Sequence, residues 1–163
     1  MKAITGRFID IGISEKERGE ISGALGKLLA DTYALALKTQ KFHWNVTGAE
    51  FAELHKMFEE QYTELAAAID LIAERIRALG YASPGSFSEF RSLTSLDEDS
   101  DAVTSEEMLL ALVRAHEAVI RTARDIFTKA EQATDPATSD LMTERIQTHE
   151  KKAWMLRSSL PIV

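Results

Sequence analysis

Residues 41–80 read KFHWNVTGAEFAELHKMFEEQYTELAAAIDLIAERIRALG, and this stretch decides the fold. Its apolar side chains recur every three or four residues, and in the second half the steps of four and three alternate: Phe58, Tyr62, Leu65, Ile69, Ile72, Ile76 and Leu79. Such a pattern keeps one apolar stripe facing the neighbours of a helix that packs almost parallel to them. Gly80 fits the position just after the end of the helix. The stretch therefore predicts a long amphipathic helix in a bundle.

Helix-start motifs divide the rest of the chain into further helices. Four of them open long helices and the last opens a short one: Ser14–Glu17, Thr47–Glu50, Thr104–Glu107, Asp135–Pro136 and Ser86–Glu89. Val46 and Phe51 fit the hydrophobic staple that flanks a capping box. In the fourth long helix, the apolar face is predicted to run through Leu141, Ile146, Trp154 and Leu156. Residues 1–13 have no helical period and predict a short tail.

The connection between the second and third long helices is much longer than the others. It covers residues 80–103 and contains Gly80, Pro84 and Gly85 as well as the short helix. A connection of this length can return along a bundle, which gives a bundle with one crossover. The prediction is an all-α, ferritin-like four-helix bundle with a short helix in the long crossover, built as one domain over residues 1–163.

The composition excludes several classes of protein. Among 163 residues there is no cysteine, which rules out a disulfide scaffold, a thiolate metal site and a cysteine nucleophile. A metal would have to be bound by His, Asp or Glu, a donor set that suits iron, manganese or zinc. The net charge of −7 makes the body of the protein repel nucleic acid and attract cations. Without a membrane span or the apolar core of a signal peptide, we expect a cytoplasmic protein and no membrane partner.

Four side chains that are able to bind metal share one face of the second helix. They are His55, Glu59, Asp70 and Glu74, which fall within about 100° of one another around the axis. The two pairs lie about 22 Å apart along the axis, so one ion cannot touch both within a chain. In a two-fold dimer, antiparallel copies of the helix would bring the first pair of one chain beside the second pair of the other. His43, at the end of the first helix, is close enough in sequence to complete the nitrogen ligands.

A structural interpretation of these residues stays open, because charged residues on a helix face are usually solvated. The Glu-x-x-His motif of ordinary di-iron bundles is absent, since none of the four histidines follows a Glu by three residues. A di-iron site within one chain is therefore not expected. His116 and His149 have no ligand partners at helical spacing and are predicted to lie at the surface or in an interface.

These residues carry a family resemblance. The segments KFHWNVTGAEFAEL, HKMFEEQY, IDLIAERIRALG and HEKKAWML resemble the Dps family, the DNA-binding proteins from starved cells or miniferritins. Its motifs HWNV-x-G-x-x-F-x-x-LH and D-x-x-AER are both present. The resemblance implies ferroxidase ligands at His43 and His55 of one chain and at Asp70 and Glu74 of its two-fold mate. Glu59 matches a position where the family has Asp or Glu.

The resemblance also implies an activity and an assembly. It implies oxidation of Fe(II), with hydrogen peroxide as the favoured oxidant and dioxygen a slower one, followed by mineralisation of Fe(III) in a hollow homododecamer. Trp44 is a candidate electron donor, with a core tryptophan at the bundle end as the alternative. Glu131, Asp135 and Asp140 are candidates for an iron-entry pore, although Asp135 is also explained as an ordinary N-cap. A metal-free structural or adhesive dodecamer is disfavoured by the complete ligand set.

Protection of DNA has two alternative explanations. Removal of Fe(II) and peroxide needs only the ferroxidase site, whereas physical coating by a nucleoid-associated protein needs a basic tail. The first 18 residues hold the cations Lys2, Arg7, Lys16 and Arg18 against three acids, Asp10, Glu15 and Glu17. We therefore expect weak or absent DNA binding at physiological salt and protection mainly by iron chemistry.

Overall fold

The computed structural model describes residues 9–98 and 101–160. Five helices run in chain order, and their bounds are α1 Glu15–Asn45, α2 Phe51–Ala78, α3 Phe87–Leu93, α4 Ser105–Gln132 and α5 Pro136–Ser158. The long helix α1 packs along α2 and α4, α4 packs along α5, and the short α3 lies against α1. The all-α bundle with a short helix in its crossover is thus confirmed. Of the predicted tail, residues 1–8 lie outside the described residues.

The core is built from the apolar stripes that the sequence shows. On α2 the side chains at the stripe positions Leu54, Phe58, Leu65, Ile72 and Ile76 are all buried. Gly80 adopts a positive φ of 95° directly after the C-cap residue of α2, a conformation in which a β-carbon is strained. Burial of this face fixes the rotation of α2 and so decides which of its residues face outward.

Three of the four predicted capping boxes are confirmed, before α1, α3 and α4. The box predicted at Thr47–Glu50 is wrong. Gly48 has a φ of 111° and its carbonyl accepts a hydrogen bond from the amide of Phe51, so a separate turn precedes α2. Glu50 is the N-cap of α2 and makes no side-chain capping bond. The staple is wrong as well, because Val46 is buried whereas Phe51 is 45% exposed.

Trp154 does not lie in the core as predicted. It is 61% exposed, because His149, Ala153 and Leu156 occupy the inward face of α5 at steps of four and three. The tryptophan follows Ala153 directly and is therefore rotated about 100° away from that face.

A buried carboxylate attaches the crossover to the bundle. Asp31 of α1 is 0% exposed and accepts hydrogen bonds from the hydroxyl groups of Thr94, Ser95 and Thr122 and from the backbone amide of Ser95. Thr94 and Ser95 follow α3, while Thr122 lies on α4. The carboxylate thereby joins three parts of the fold. In the part of the chain that is described, no helix is long and apolar enough to cross a membrane.

Candidate metal centre

The turn between α1 and α2 brings His43 and His55 into direct contact. Their imidazole rings are stacked, with centroids 3.7 Å apart and an interplanar angle of 21°. His43 is the third residue from the end of α1 and His55 lies in the second turn of α2, so the reversal at residues 46–50 places them at one end of the bundle. The predicted proximity of the two histidines is present in the structure.

Each of these imidazoles is held by the backbone of the other residue. Nδ1 of His43 lies 2.8 Å from the carbonyl oxygen of His55, and Nδ1 of His55 lies 2.8 Å from the carbonyl oxygen of His43. A carbonyl oxygen can only accept, so Nδ1 carries the proton in both rings and donates it. In a neutral imidazole Nε2 then has a free lone pair. Such a bond at one ring nitrogen is the usual way in which a protein orients a metal-binding histidine.

Two further aromatic rings flank the stacked pair, one on either side. The ring of Phe51 lies 5.0 Å from that of His55, and the ring of Tyr62 meets that of His43 edge-on at 5.3 Å and 72°. His43 is buried and His55 is half-buried. The aromatic neighbours restrict the motion of both imidazoles, so the pair is preorganised before any ion arrives.

The carboxylates are not brought to the histidine pair within one chain. Glu59, Asp70 and Glu74 are all exposed on α2, and Asp70 follows His55 by fifteen residues, about 22 Å along the helix. Among the described residues, no group of three or more His, Asp or Glu side chains converges so that it could hold a metal. One chain therefore presents two imidazoles at one end of α2 and two carboxylates further along it.

Trp44 is not a core residue. It is 63% exposed and lines an apolar groove between α1 and α3, together with Leu37, Phe87 and Phe90. The interpretation of Trp44 as a core tryptophan at the bundle end is therefore wrong for the single chain.

Of the three pore candidates, Asp135 has a clear structural role. It is 2% exposed, caps α5 by accepting from the amide of Thr138, and pairs with Arg75 of α2, whose Nη2 lies 2.6 and 2.7 Å from its two carboxylate oxygens. Burial acts to raise the pKa of Asp135, but the hydrogen bonds from Arg75 and Thr138 outweigh it and hold the pKa below its ordinary value. Glu131 accepts a hydrogen bond from Ser139, and Asp140 is exposed.

The prediction that His116 and His149 lie at the surface or in an interface is wrong, since each is 1% exposed. Their Nδ1 atoms are 2.9 Å apart, and Nε2 of His116 lies 3.2 Å from the amide oxygen of Gln61. Burial, with the positive charges of Lys152 and Arg145, lowers the pKa of His116 to about 3. Burial and the neighbouring His116 and Arg145 likewise lower the pKa of His149 well below its ordinary value. Both side chains are therefore neutral core residues.

Helical spacing could have revealed this buried pair. His116 lies four residues after Leu112 and three before Val119, while His149 lies seven after Met142 and four before Ala153. All four of these neighbours are fully buried. A histidine in step with an apolar stripe faces the core whether or not it has metal-binding partners.

Comparison with known proteins places the chain among ferritin-like proteins. A family model described as a ferritin-like domain matches residues 22–161. A low temperature-induced protein of Nostoc sp. is 41% identical over 92% of this chain and 85% of its own length. DNA protection during starvation protein 2 of Bacillus anthracis is 37% identical over 86% of this chain and 97% of its own.

Similarity to solved structures extends over nearly the whole chain. The crystal structure of a Dps protein from Vibrio cholerae is described as belonging to a broad superfamily of ferritin-like diiron-carboxylate proteins. It superimposes with a TM-score of 0.88 at 34% identity and covers 97% of this chain and 98% of its own. The chain belongs to the Dps miniferritin family of ferritin-like proteins.

Proposed function

We propose that this protein oxidises Fe(II) and stores the product, at sites that are each shared between two copies of the chain. The observation that carries the proposal is the His43–His55 pair. Both Nδ1 atoms donate hydrogen bonds to backbone carbonyls, so the lone pairs of both Nε2 atoms are available to bind a metal ion. Imidazole nitrogen with carboxylate oxygen is a donor set that suits iron, and the chain offers no thiolate.

A second copy is needed because the ligands are divided along α2. Two antiparallel α2 helices related by a two-fold axis bring His43, His55 and Glu59 of one chain beside Asp70 and Glu74 of the other. The exposure of these three carboxylates in the single chain supports the proposal, since they have not been used to build the fold. Each dimer then holds two equivalent sites.

Iron is the substrate at these sites and hydrogen peroxide the favoured oxidant, with dioxygen slower. Two Fe(II) ions together release two electrons, which with two protons from solvent reduce one hydrogen peroxide to two waters, so no hydroxyl radical is released. The imidazoles position Fe(II), and the carboxylates match the preference of the Fe(III) product for oxygen donors.

Twelve copies form the proposed assembly, a hollow dodecamer in which Fe(III) is mineralised. It is supported by the family and by the almost full-length match to the Vibrio cholerae protein. Glu131 and Asp140 remain candidates for lining an iron-entry pore. Asp135 is a weaker candidate, because its carboxylate is buried against Arg75. Light scattering should report twelve copies of the 18.1 kDa chain, and a monomer or a 24-mer would contradict this assembly.

Protection of DNA is proposed to follow from this iron chemistry in the cytoplasm, and not from coating. Two of the four N-terminal cations are described, and one of them is buried within the chain. Arg18 donates to the carbonyls of Ile13 and Leu79 and is 9% exposed, whereas Lys16, which lies 4.0 Å from Glu20, keeps an exposed side chain. Lys2 and Arg7 lie outside the described residues. Few cations remain to contact phosphates against a net charge of −7.

The shared site is tested by the absorbance of Fe(III) after peroxide is added to protein loaded anaerobically with Fe(II). We expect Asp70→Ala to slow oxidation at least about tenfold, as loss of a metal ligand does. Glu60→Ala is the matched control, because Glu60 is an exposed carboxylate on the same helix but outside the ligand face. Unchanged kinetics in Asp70→Ala with the assembly intact would reject the site.

Mixed assembly tests whether the ligands come from two chains. Assemblies of His55→Ala alone and of Asp70→Ala alone should both oxidise iron at least about tenfold more slowly than the wild type. In a dimer with one chain of each kind, one site carries both changes and the other carries neither, so co-assembly should restore activity. If each site were built within one chain, co-assembly of the two variants would restore no activity.

The coating alternative is tested by gel shifts over a salt series, run beside a hydroxyl-radical cleavage assay. At about 150 mM salt we expect no stable complex between the protein and DNA. Protection of DNA should be lost when Asp70 and Glu74 are replaced by Ala. A tight complex at that salt, or protection that survives loss of the ligands, would favour coating.

A further inference from the structure

The end of α2 carries a partly buried cation beside the proposed ligands. Arg75 follows Glu74 directly, and its side chain is 17% exposed. Its Nη2 lies 2.6 and 2.7 Å from the two carboxylate oxygens of Asp135, the N-cap residue of α5. A guanidinium stays protonated at every pH at which a protein is folded. The positive charge therefore persists, and the group that balances it decides the field that a metal ion meets at Glu74.

Asp135 is a fixed counter-ion for this guanidinium. Its carboxylate is 2% exposed and accepts hydrogen bonds from the amide and the hydroxyl group of Thr138. The same hydroxyl group accepts a hydrogen bond from Nε of Arg75 at 2.8 Å. The backbone is held as well, because the amide of Asp135 donates to the carbonyl of Ala130. Both partners of the ion pair are therefore hydrogen-bonded, which is the arrangement that makes a buried pair favourable.

The ion pair directs the guanidinium towards α5 and away from the ligand face of α2. Successive residues on a helix project about 100° apart, so Arg75 reaches the start of α5 while Glu74 and Asp70 are exposed. The second cation at this end of α2, Arg77, is exposed, so water and salt screen its charge. Arg75 is less exposed to water, and its charge would be felt more strongly by its neighbours if it were not paired.

We propose that Asp135 acts on the shared metal site as the counter-charge of Arg75, an inference that rests on the proposed function. While the ion pair is intact its net charge is zero, and the two carboxylates of the ligand face attract Fe(II) without an unbalanced buried cation beside them. If Asp135 were neutral, the guanidinium would repel a divalent ion at Glu74 and weaken its binding. Asp135 is thus a positioning residue that acts through Arg75, and it does not need to line a pore.

Two other roles for Asp135 lead to different results. An acid that lines an entry pore changes the rate at which ions arrive, but it leaves the equilibrium affinity of the site unchanged. A link that only holds α5 against α2 is lost when either partner is replaced, and replacing both partners cannot repair it. The balance of charge makes the opposite prediction, because removing both charges restores a net charge of zero.

The test is an equilibrium titration of the assembled protein with Co(II) in the absence of oxidant, followed by the visible absorption of the bound ion. Co(II) serves as the probe because imidazole and carboxylate ligands bind it much as they bind Fe(II). We expect Asp135→Asn to raise the Kd for Co(II) at least about fivefold. Asp125→Asn, the same change at an exposed position of α4, is the matched control and should stay within about twofold of the wild type.

The double variant of Arg75→Gln and Asp135→Asn decides between the roles. It holds no unbalanced charge, so its Kd should return to within about twofold of the wild-type value. A double variant that binds no more tightly than Asp135→Asn would overturn the inference, and so would an Asp135→Asn variant that matches the control. Should Asp135→Asn fail to assemble, Arg75→Gln alone should bind Co(II) at least as tightly as the wild type, and weaker binding would overturn the inference.

Asp70→Ala separates this inference from the function on which it rests. If Co(II) binds equally well to the wild type and to Asp70→Ala, the shared site itself is rejected. If Asp70→Ala loses binding while Asp135→Asn keeps it, only the role of Asp135 is rejected.

Discussion

The four histidines of this chain form two pairs that are built in opposite ways. In the pair of His43 and His55 the rings stack, each Nδ1 donates to a backbone carbonyl, and neither Nε2 has a hydrogen-bond partner among the described residues. In the pair of His116 and His149 the two Nδ1 atoms face each other at 2.9 Å, and the second nitrogen of His116 is bonded to Gln61. Backbone partners leave an imidazole able to bind an ion, whereas side-chain partners in the core use it as a structural polar group.

The surroundings make the same distinction. The first pair lies at the end of the bundle, with the exposed Glu59 one turn further along α2, whereas the second is enclosed by α2, α4 and α5 with the cations Arg145 and Lys152 nearby. Nearby positive charge opposes both protonation of an imidazole and binding of a metal cation. The type of residue alone therefore does not identify a metal site. Burial, the neighbouring charges and the partners of the ring nitrogens identify it together.

The largest expected effect is on the rate of iron oxidation, which should depend on the His43–His55 pair and not on the His116–His149 pair. His55→Ala removes a ligand and should slow peroxide-driven iron oxidation at least about tenfold, while its urea unfolding midpoint changes little. His116→Ala should leave the rate per assembled site unchanged. A ferric absorbance assay on both variants checks this, and equal losses of activity would abolish the distinction.

The next effect is on the free energy of unfolding, which should depend more on the buried pair of His116 and His149. His116→Ala creates a cavity and leaves Gln61 and His149 without their partner, so we expect a loss of about 2–4 kcal/mol in the free energy of unfolding. Arg121→Ala, at an exposed position of the same helix, is the control and should stay within about 0.5 kcal/mol. Urea titrations monitored by circular dichroism measure both. A loss in His116→Ala no larger than the control would show that the buried pair contributes no stability.

Acid should destabilise the fold through the buried pair. The pKa of His116 is about 3 in the folded chain, below its ordinary value of about 6.5 in the unfolded chain, and that of His149 is lowered too. Between these values the unfolded chain binds protons that the folded chain does not. Stability is therefore full above about pH 6.5 and falls with decreasing pH, by about 1.4 kcal/mol per pH unit for each histidine.

Urea midpoints measured from about pH 7.5 down to about pH 5 test this slope. The capping glutamates Glu17, Glu89 and Glu107 have lowered pKa values, so they stay ionised across that range and do not contribute. Replacing His116 and His149 together by Gln should flatten the profile. A profile that keeps its slope in the double variant would assign the pH dependence to other groups.

The smallest effect concerns Glu59, one turn after His55. Glu59→Gln keeps an oxygen donor but removes the charge, so we expect iron oxidation to slow less than in Asp70→Ala. The ferric absorbance assay ranks the two variants. A larger loss of oxidation rate in Glu59→Gln than in Asp70→Ala would show that Glu59 is the more important ligand.

Local motifs predicted the fold well because the interactions behind them are local. The capping boxes at Ser14, Ser86 and Thr104 satisfy backbone amides within four residues, and all three are present. The capping box predicted at Thr47–Glu50 is wrong because the positive φ of Gly48 adds a turn before α2, and the sequence pattern does not show this turn.

The site could be predicted only in part. Periodicity placed the metal-competent residues of α2 on one face, and the closeness of His43 followed from the short connection. The exchange of hydrogen bonds between Nδ1 atoms and carbonyls depends on the spatial approach of two helix ends, which sequence spacing does not determine. The spacing of His116 and His149 relative to buried apolar residues indicates that both face the core, but it does not show that they meet each other. Tertiary contact between α4 and α5 decided the role of this pair.

The anchoring of the crossover by Asp31 divides that connection into parts that differ in tolerance to insertion. Residues added between Thr94 and Ser95 would separate two donors from a carboxylate that is 0% exposed, and a buried charge without its donors is costly. Ala82, ahead of α3, is exposed, and extra chain there would loop into water. A peptide tag or a fused domain is therefore best inserted beside Ala82, on the near side of α3, where the bundle and its histidine pairs remain undisturbed.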